Sequence, residues 1–406
     1  MSEQPAALAV RLHGKRIGVI TRLAGDRYLF AFDEAYVNDV NRPTLSLSFK
    51  SRSGGLVTSV RPYGVRLPPF FSNLLPEGHL REYLAQRAGV QPDREFFLLA
   101  MLGADLPGAI TVTPMDGTAD RDRHDDVADD HRKVSPLRFS LAGVQLKFSA
   151  IREASGGLTI PADGMGGSWI VKLPSARFEG VPENEFAMME LARSVGIPVP
   201  EVKLVPIKSI EGLPEDAGKM TGQALAVERF DRKPDGGRVH MEDFAQVFGI
   251  YPDRKYEKRS YANIAQVLAA EAGEESAYDF VRRLVFSVMI GNADMHLKNW
   301  SLLYPDGRKP VLAPAYDYVS TMSYLPNDQL ALGFGASKRM DAITQEQINR
   351  FADTASLSFT SVRDLVESTA HQTLDAWKKL DAKSIIPKPI RDAIEKHMLG
   401  VSQSIG

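Results

Sequence analysis

From Asp116 to Lys133 the chain reads DGTADRDRHDDVADDHRK, charged and small residues with neither a strand nor a helix period of apolar positions. Such a stretch buries too little apolar surface to offset the entropy of ordering it. It reads as an acidic, solvated linker and as the one clear break in the chain. At 406 residues the chain is too long for one ordinary core, and two or three domains are expected. His124 and His131 sit in this run beside several Asp residues; in so polar a stretch they read as solvated side chains, not as metal ligands.

Composition removes several classes of function. There are no cysteines, which excludes disulfides, thiolate catalysis and cysteine metal sites. A net charge of -2 gives no global electrostatic case for nucleic acid, so any such contact has to come from a local patch. No apolar stretch reaches membrane-spanning length, and the first residues lack a basic start followed by an apolar core. The expected location is the cytoplasm, with no membrane partner.

Upstream of the linker, residues 7 to 115 read as a small α+β domain. Leu8–Leu12 and Arg16–Ile20 flank His13-Gly14 as a hairpin, and Tyr28–Phe32 is a further strand. The apolar runs Leu67–Pro76 and Phe96–Gly103 read as helical or buried segments. Their aromatics are expected to pack against the downstream domain, and nothing here suggests catalysis.

Chemistry concentrates near residue 300. Tyr278 to Ile290 carries apolar residues at Phe280, Leu284, Val285, Val288 and Met289, one face of a helix, and Gly291-Asn292 ends it. Asp294 and Asn299 follow on a loop, five positions apart, and Asp317 comes soon after. Trp300–Tyr304 and Pro310–Ala315 surround Pro305-Asp306-Gly307, so a hairpin would bring Asn299 and Asp317 together at its open end. One carboxylate to take the proton of an attacking hydroxyl, with an Asn oxygen and a second carboxylate to hold Mg²⁺, is what phosphoryl transfer from ATP needs.

Further upstream, Phe139 to Phe148 reads as strand, small-residue turn and strand, where backbone N–H groups can approach phosphate and Lys147 adds charge. Trp169-Ile-Val-Lys172 places a lysine inside an apolar strand. Either it is paired, as a kinase lysine is by a helical carboxylate, or it snorkels to water from a strand edge. Glu183, Glu185 and Glu190 on the apparent helix Pro182–Val195 are the candidate partners, with Glu185 preferred. Ala224 to Arg232 ends a strand and enters a loop, where an interlobe hinge would offer backbone groups to adenine. Met241 to Gly249 reads as a helix opening the second lobe, with Gln246 turned toward the site.

These residues, in this order, resemble the HipA-type serine/threonine kinases, the toxins of bacterial HipBA toxin–antitoxin pairs. The resemblance rests on Ser140-Leu-Ala-Gly-Val-Gln-Leu-Lys147, Val171-Lys172, Asn184-Glu185, Val227 to Arg232, Glu242 to Gln246, Asn292 to Asn299 and Tyr316-Asp317. Phe70 to Glu77 and Leu102 to Gly108 resemble that family's amino-terminal subdomain, so the likeness covers nearly the whole chain. It implies an α+β, bilobed kinase-like fold related to phosphoinositide-3-kinase-like domains. The expected parts are a small α/β N-terminal subdomain (1–115), the linker (116–133), a mixed-sheet N-lobe (134–232) and an all-helical C-lobe (233–406).

Position by position, the resemblance makes Asp294 the general base and Asp317 the principal Mg²⁺ ligand. His296, Leu297, Lys298 and Asn299 fall in the nucleotide and metal site, with Tyr316 beside them. Lys172 contacts phosphate, and Glu228, Arg229 and Phe230 form the hinge. Ala142, Gly143, Val144, Gln145, Leu146 and Lys147 form the phosphate loop. Ser140 falls where the family autophosphorylates, and nearly two negative charges beside a phosphate loop would inhibit it; the competing reading is a plain strand serine. The chain lacks GxGxxG, His-Arg-Asp and Asp-Phe-Gly signatures, so activation-loop logic from ordinary protein kinases does not transfer.

The resemblance further implies a small HipB-like helix-turn-helix antitoxin, operator DNA bound through that complex, and an aminoacyl-tRNA synthetase target, notably the glutamyl enzyme, whose phosphorylation arrests growth and underlies persistence. A basic stretch at Trp377–Lys383 and Lys388–Lys396 gives modest support for a DNA contact; the alternative is a solvated helix face. Two rivals stand. A non-catalytic co-regulator predicts damage to Asp294, Asn299 or Asp317, all of which are present. A small-molecule kinase of the aminoglycoside or choline type predicts an acidic pocket for a cationic substrate.

Overall fold

The computed structural model describes residues 5–59, 61–115, 147–152, 158–160, 167–213, 217 and 219–405. The acidic linker, Ser140 and the loop candidates Ala142 to Leu146 lie outside the described residues. Two compact units emerge: the first takes the described residues up to Met115 with those of 213–219 and 245–252, the second takes the remainder.

In the first unit, β1 (Ala7–Leu12), β2 (Lys15–Leu23), β3 (Arg27–Phe32) and β4 (Ile110–Met115) form an antiparallel sheet in the order β3-β2-β1-β4. His13 and Gly14 both take positive φ, 51° and 77°, the backbone that a two-residue hairpin needs to match strand twist. Leu8, Val10 and Leu12 face a core shared with Phe30, Phe70, Phe71, Phe96 and Leu99. The aromatics expected to serve an interdomain contact are thus buried in this unit's own core. Those from the two apolar runs sit on the helices Pro69–Ser72 and Glu95–Leu102.

Two features of this unit come from long-range packing. Glu95 is buried but not isolated: Leu67 N and Ser72 Oγ donate to it at 2.9 and 2.8 Å, and Arg81 Nη2 approaches at 3.2 Å. A buried carboxylate is tolerable only when paired in this way. The segment 245–252 is sewn on by polar contacts: Gln246 Nε2 donates to Phe70 O at 3.0 Å, Tyr251 Oη to Leu67 O at 3.1 Å, and Asn73 Nδ2 to Ile250 O at 2.8 Å.

Gly103 joins helix to sheet here. Its carbonyl accepts from Val112 N at 2.8 Å, and a Cβ at that position would meet Val112 O at 2.1 Å. Gly103→Ala is therefore expected to push the helix Glu95–Leu102 off β4 and to destabilise this unit by about 1–3 kcal/mol. Denaturant unfolding should show a lower midpoint; an unchanged one would mean that the contact is looser than described.

In the second unit, β5 (Lys147–Arg152), β6 (Leu158–Thr159), β7 (Trp169–Lys172), β8 (Val202–Pro206), β9 (Ile210–Glu211) and β10 (Gln223–Glu228) form a mixed sheet. Its order is β8-β10-β7-β5-β6-β9, and among the described residues only β6 and β9 pair in parallel. The helix Val181–Ser194 packs on β8 and β10 and buries Met188, Leu191 and Ala192. A helical portion follows, with Tyr261–Glu271, Glu274–Met289, Gln345–Ala355, Phe359–Lys379 and Lys388–Ile405.

This helical portion also carries a small sheet of β11 (His240–Asp243), β12 (Ser301–Tyr304) and β13 (Val311–Leu312). Met241–Asp243, expected to open a helix, is therefore strand; only Phe244–Val247 is helical. Pairing with β12 decides this, because it buries His240 and Glu242 against Tyr304, and tertiary context overrides a short helical pattern. Near the carboxyl end, Lys378 pairs with Asp375 and Lys388 with Asp392 at 2.9 and 2.6 Å, as on solvated helix faces. No helix among the described residues is long and apolar enough to cross a membrane.

Candidate active site

The helix Glu274–Met289 delivers the loop that carries Asp294. Gly291 takes φ 70°, while Asn292 N donates to Ser287 O at 2.8 Å and Gly291 N to Val288 O at 3.1 Å. This paired closure satisfies the last carbonyls and turns the chain sharply out of the helix. Asn292 is then buried between two loops. Its Oδ1 accepts from Asp294 N at 3.1 Å, and its Nδ2 donates to Asp317 O at 3.1 Å. One side chain thus ties the backbone of both carboxylate residues.

The hairpin of β12 and β13 closes through Gly307 N to Tyr304 O at 3.0 Å and pairs Leu302 with Leu312. At its open end Tyr316 Oη donates to Lys298 O at 2.9 Å and lies 2.6 Å from Ser301 Oγ. Asp317 follows with φ 57°, a left-handed backbone that Asp tolerates better than most residues. Asn299 Nδ2 donates to Asp294 O at 2.7 Å, so its amide oxygen is the atom left to face a ligand. Leu297–Asn299 forms a single 3₁₀ turn in which His296 Nδ1 accepts from Lys298 N at 3.2 Å.

Charge is concentrated on the face of the mixed sheet. Lys147 and Lys172 stand directly opposite each other across β5 and β7, a like-charge pairing that costs stability unless an anion bridges it. Asp317 is that anion. Its carboxylate bonds Lys172 Nζ, and Lys147 Nζ lies 3.4 Å away. Glu185, from the helix Val181–Ser194, also bonds Lys172 Nζ. Two carboxylates and two ammonium groups leave the cluster near neutral.

The protonation states follow from this arrangement. Burial alone would raise the Asp317 pKa, but Lys147 and Lys172 outweigh it and hold the group well below the usual carboxylate range. Burial would likewise discharge Lys172, yet Asp317 and Glu185 keep its pKa above that of a free lysine. Glu185 is raised by burial, an effect that Lys172 only partly offsets. Asp294 is raised by the protein packed around it, against a lowering bond from Tyr256 and the charge of Lys255. Its side chain is nonetheless exposed to solvent, which limits that rise.

The hinge candidates have mixed fates. Arg229 N donates to Ser168 O at 2.7 Å, while its guanidinium forks onto Asp231 at 3.0 and 2.9 Å, so that side chain is buried in structure. The Phe230 ring lies 5.7 Å from that of Tyr316, joining the strand end to the residue before Asp317. Glu228 is exposed at the end of β10. Leu297 is buried. Gln246 belongs to the first unit, where its amide meets Phe70 O.

A family model for the HipA N-terminal domain matches residues 8–113, and one for the HipA-like C-terminal domain matches 139–377. The chain belongs to the HipA family of kinases. The putative kinase Y4dM of Sinorhizobium fredii is 52% identical over 393 residues, 96% of each chain. The serine/threonine-protein kinase toxin HipA of Shewanella oneidensis is 29% identical over 321 residues, 70% of each. Among solved structures, the Shewanella oneidensis complex of HipA, HipB and operator DNA matches with a TM-score of 0.74 at 22% identity, covering 98% of this chain and 96% of that one. The HipA fold is therefore shared across both units.

A HipA-type kinase uses a nucleotide and a divalent cation, and the donors here suit both. Asp317, held ionised, and the Asn299 amide oxygen could offer hard oxygen donors of the kind a divalent cation takes. Among the described residues no group of three His, Cys, Asp or Glu could hold a metal unaided. A cation here would accordingly complete its shell with phosphate oxygens and water, as Mg²⁺ in nucleotide sites does. Two residues of this constellation had no role in the sequence reading. Asn292 was read as a helix stop and as the first residue of the family-like Asn292–Asn299 run, and Tyr256, whose hydroxyl donates to Asp294 Oδ1 at 2.8 Å, lies 38 residues away in an unremarkable polar stretch.

Proposed function

We propose that this HipA-type kinase is an ATP- and Mg²⁺-dependent serine/threonine protein kinase, the toxin of a pair with a HipB-like helix-turn-helix antitoxin. The observation that carries the reading is the convergence on one site of Lys172, Glu185 and Asp317 with the loop bearing Asp294 and Asn299, tied together by Asn292. Asp294 accepts the proton of the attacking serine or threonine hydroxyl. Lys172 and Lys147 face the phosphates, Asn299 and Asp317 present oxygens to the cation, and Glu228 to Phe230 meet the adenine. When bound, the nucleotide supplies the phosphoryl group and the metal neutralises charge on its oxygens.

The Shewanella oneidensis relative is described as a serine/threonine kinase toxin and was solved with HipB and operator DNA; on that likeness the present chain reaches operator DNA through its antitoxin. The family resemblance supports an aminoacyl-tRNA synthetase of the glutamyl type as target, with growth arrest as the result. Ser140 is the proposed autophosphorylation site.

The test is incubation of the purified protein with labelled ATP and Mg²⁺, alone and with bacterial lysate, beside Asp294→Asn and Ser140→Ala. Phosphate on Ser140, absent in both variants, and label on a lysate protein, absent only in Asp294→Asn, are the expected results. ATP binding without any transfer would favour a regulatory protein or a small-molecule kinase.

A further inference from the structure

The hydroxyl nearest the proposed base belongs to the protein itself. Tyr256 Oη donates to Asp294 Oδ1 at 2.8 Å, inside the range a general base must keep to the hydroxyl whose proton it removes. Its ring stands edge-on to His296 with centroids 5.1 Å apart, and the Lys255 ammonium lies 5.5 Å from its centre. The segment is pinned to the Asp294 loop from behind, since Leu297 N donates to Lys255 O at 3.3 Å. Tyr256 is nonetheless 41% exposed, so its ring can swing into solvent without opening a core.

We infer that the Tyr256 hydroxyl is a built-in stand-in for the acceptor hydroxyl, holding Asp294 oriented at rest and yielding its place when a protein acceptor binds. The inference rests on the reading of Asp294 as base. The stand-in competes with the acceptor, so the apparent affinity for acceptor is reduced by the fraction of molecules in which Asp294 is occupied. As a positioning residue Tyr256 takes no proton and receives no phosphate.

Tyr256→Phe keeps the ring and removes only the hydroxyl. The acceptor KM is expected to fall about tenfold, the weight of a modest hydrogen bond to a charged group, while kcat changes little. A readout independent of turnover is direct binding of the protein acceptor, which should tighten by about the same factor in Tyr256→Phe.

If transfer is lost in Asp294→Asn but acceptor KM and acceptor binding are unmoved in Tyr256→Phe, the stand-in alone is overturned. Phosphate mapped to Tyr256 would overturn it too, since that hydroxyl would then be an acceptor in its own right. Transfer that survives in Asp294→Asn would overturn the base assignment, and the stand-in with it.

Discussion

Asp294→Asn is expected to lower phosphoryl transfer by roughly 10²- to 10⁴-fold, the usual contribution of a positioned general base, while leaving the fold intact. The side chain is exposed and accepts from Tyr256 Oη; the loop itself is held through the backbone, by Asn292 at Asp294 N and Asn299 at Asp294 O. An amide of equal size disturbs neither. Thermal unfolding should therefore match that of the unaltered protein while labelled-phosphate transfer collapses. Because the Asp294 pKa is raised by its surroundings, the active, ionised form is lost as pH falls through a value above that of a free aspartate. Full activity in Asp294→Asn would remove the residue from the mechanism.

The second large effect is on stability. Lys172→Met should cost about 3–5 kcal/mol, because it strands the buried carboxylate of Glu185 beside Asp317 without the cation they share. Adding Glu185→Gln should restore much of the loss, since what destabilises is the unpaired charge, not the missing lysine as such. Urea unfolding of the two single variants and the double variant measures the coupling directly; purely additive effects would mean that the pair is not coupled.

The sign with pH is also defined. A carboxylate whose folded pKa is raised binds its proton more tightly folded than unfolded, so the Lys172→Met deficit should shrink as pH falls through the Glu185 pKa. In the unaltered protein the Lys172 contribution is fully present below the ordinary lysine pKa and is lost only as pH rises through its raised value. The Asp317 contribution is present above the ordinary aspartate pKa and is lost as pH falls through its lowered one.

Much of the local structure was legible in the chain. The helix expected over Tyr278–Ile290 is present as Glu274–Met289, and the hairpin around Pro305-Asp306-Gly307 is present with shorter strands. That a lysine inside an apolar strand needs a carboxylate on the next helix led to Glu185, which is the residue that meets Lys172. Each of these readings depends on residues within about one element of each other. Periodicity, turn chemistry and the cost of burying charge act over that range.

Other features depended on which distant segments meet. Lys147 was read only as the end of a phosphate loop; strand register sets it opposite Lys172, with Asp317 supplied from 145 residues beyond Lys172. Met241–Asp243 looked helical until β12 offered it a partner. Gln246 was assigned to the nucleotide, whereas its amide is bonded to Phe70 O, 176 residues away.

The sequence by itself determined which segments turn into helix or hairpin and which residue types could carry phosphoryl transfer, whereas the first unit also takes in 245–252 from far downstream. Only the tertiary structure decided that Asn292 would tie Asp294 to Asp317, that Tyr256 would stand against Asp294, and that two facing lysines would share one carboxylate. The physical reason is one of range. Local propensity is written in neighbouring residues, whereas register and side-chain convergence arise when segments far apart in sequence bury surface together and must satisfy one another's charges and hydrogen bonds.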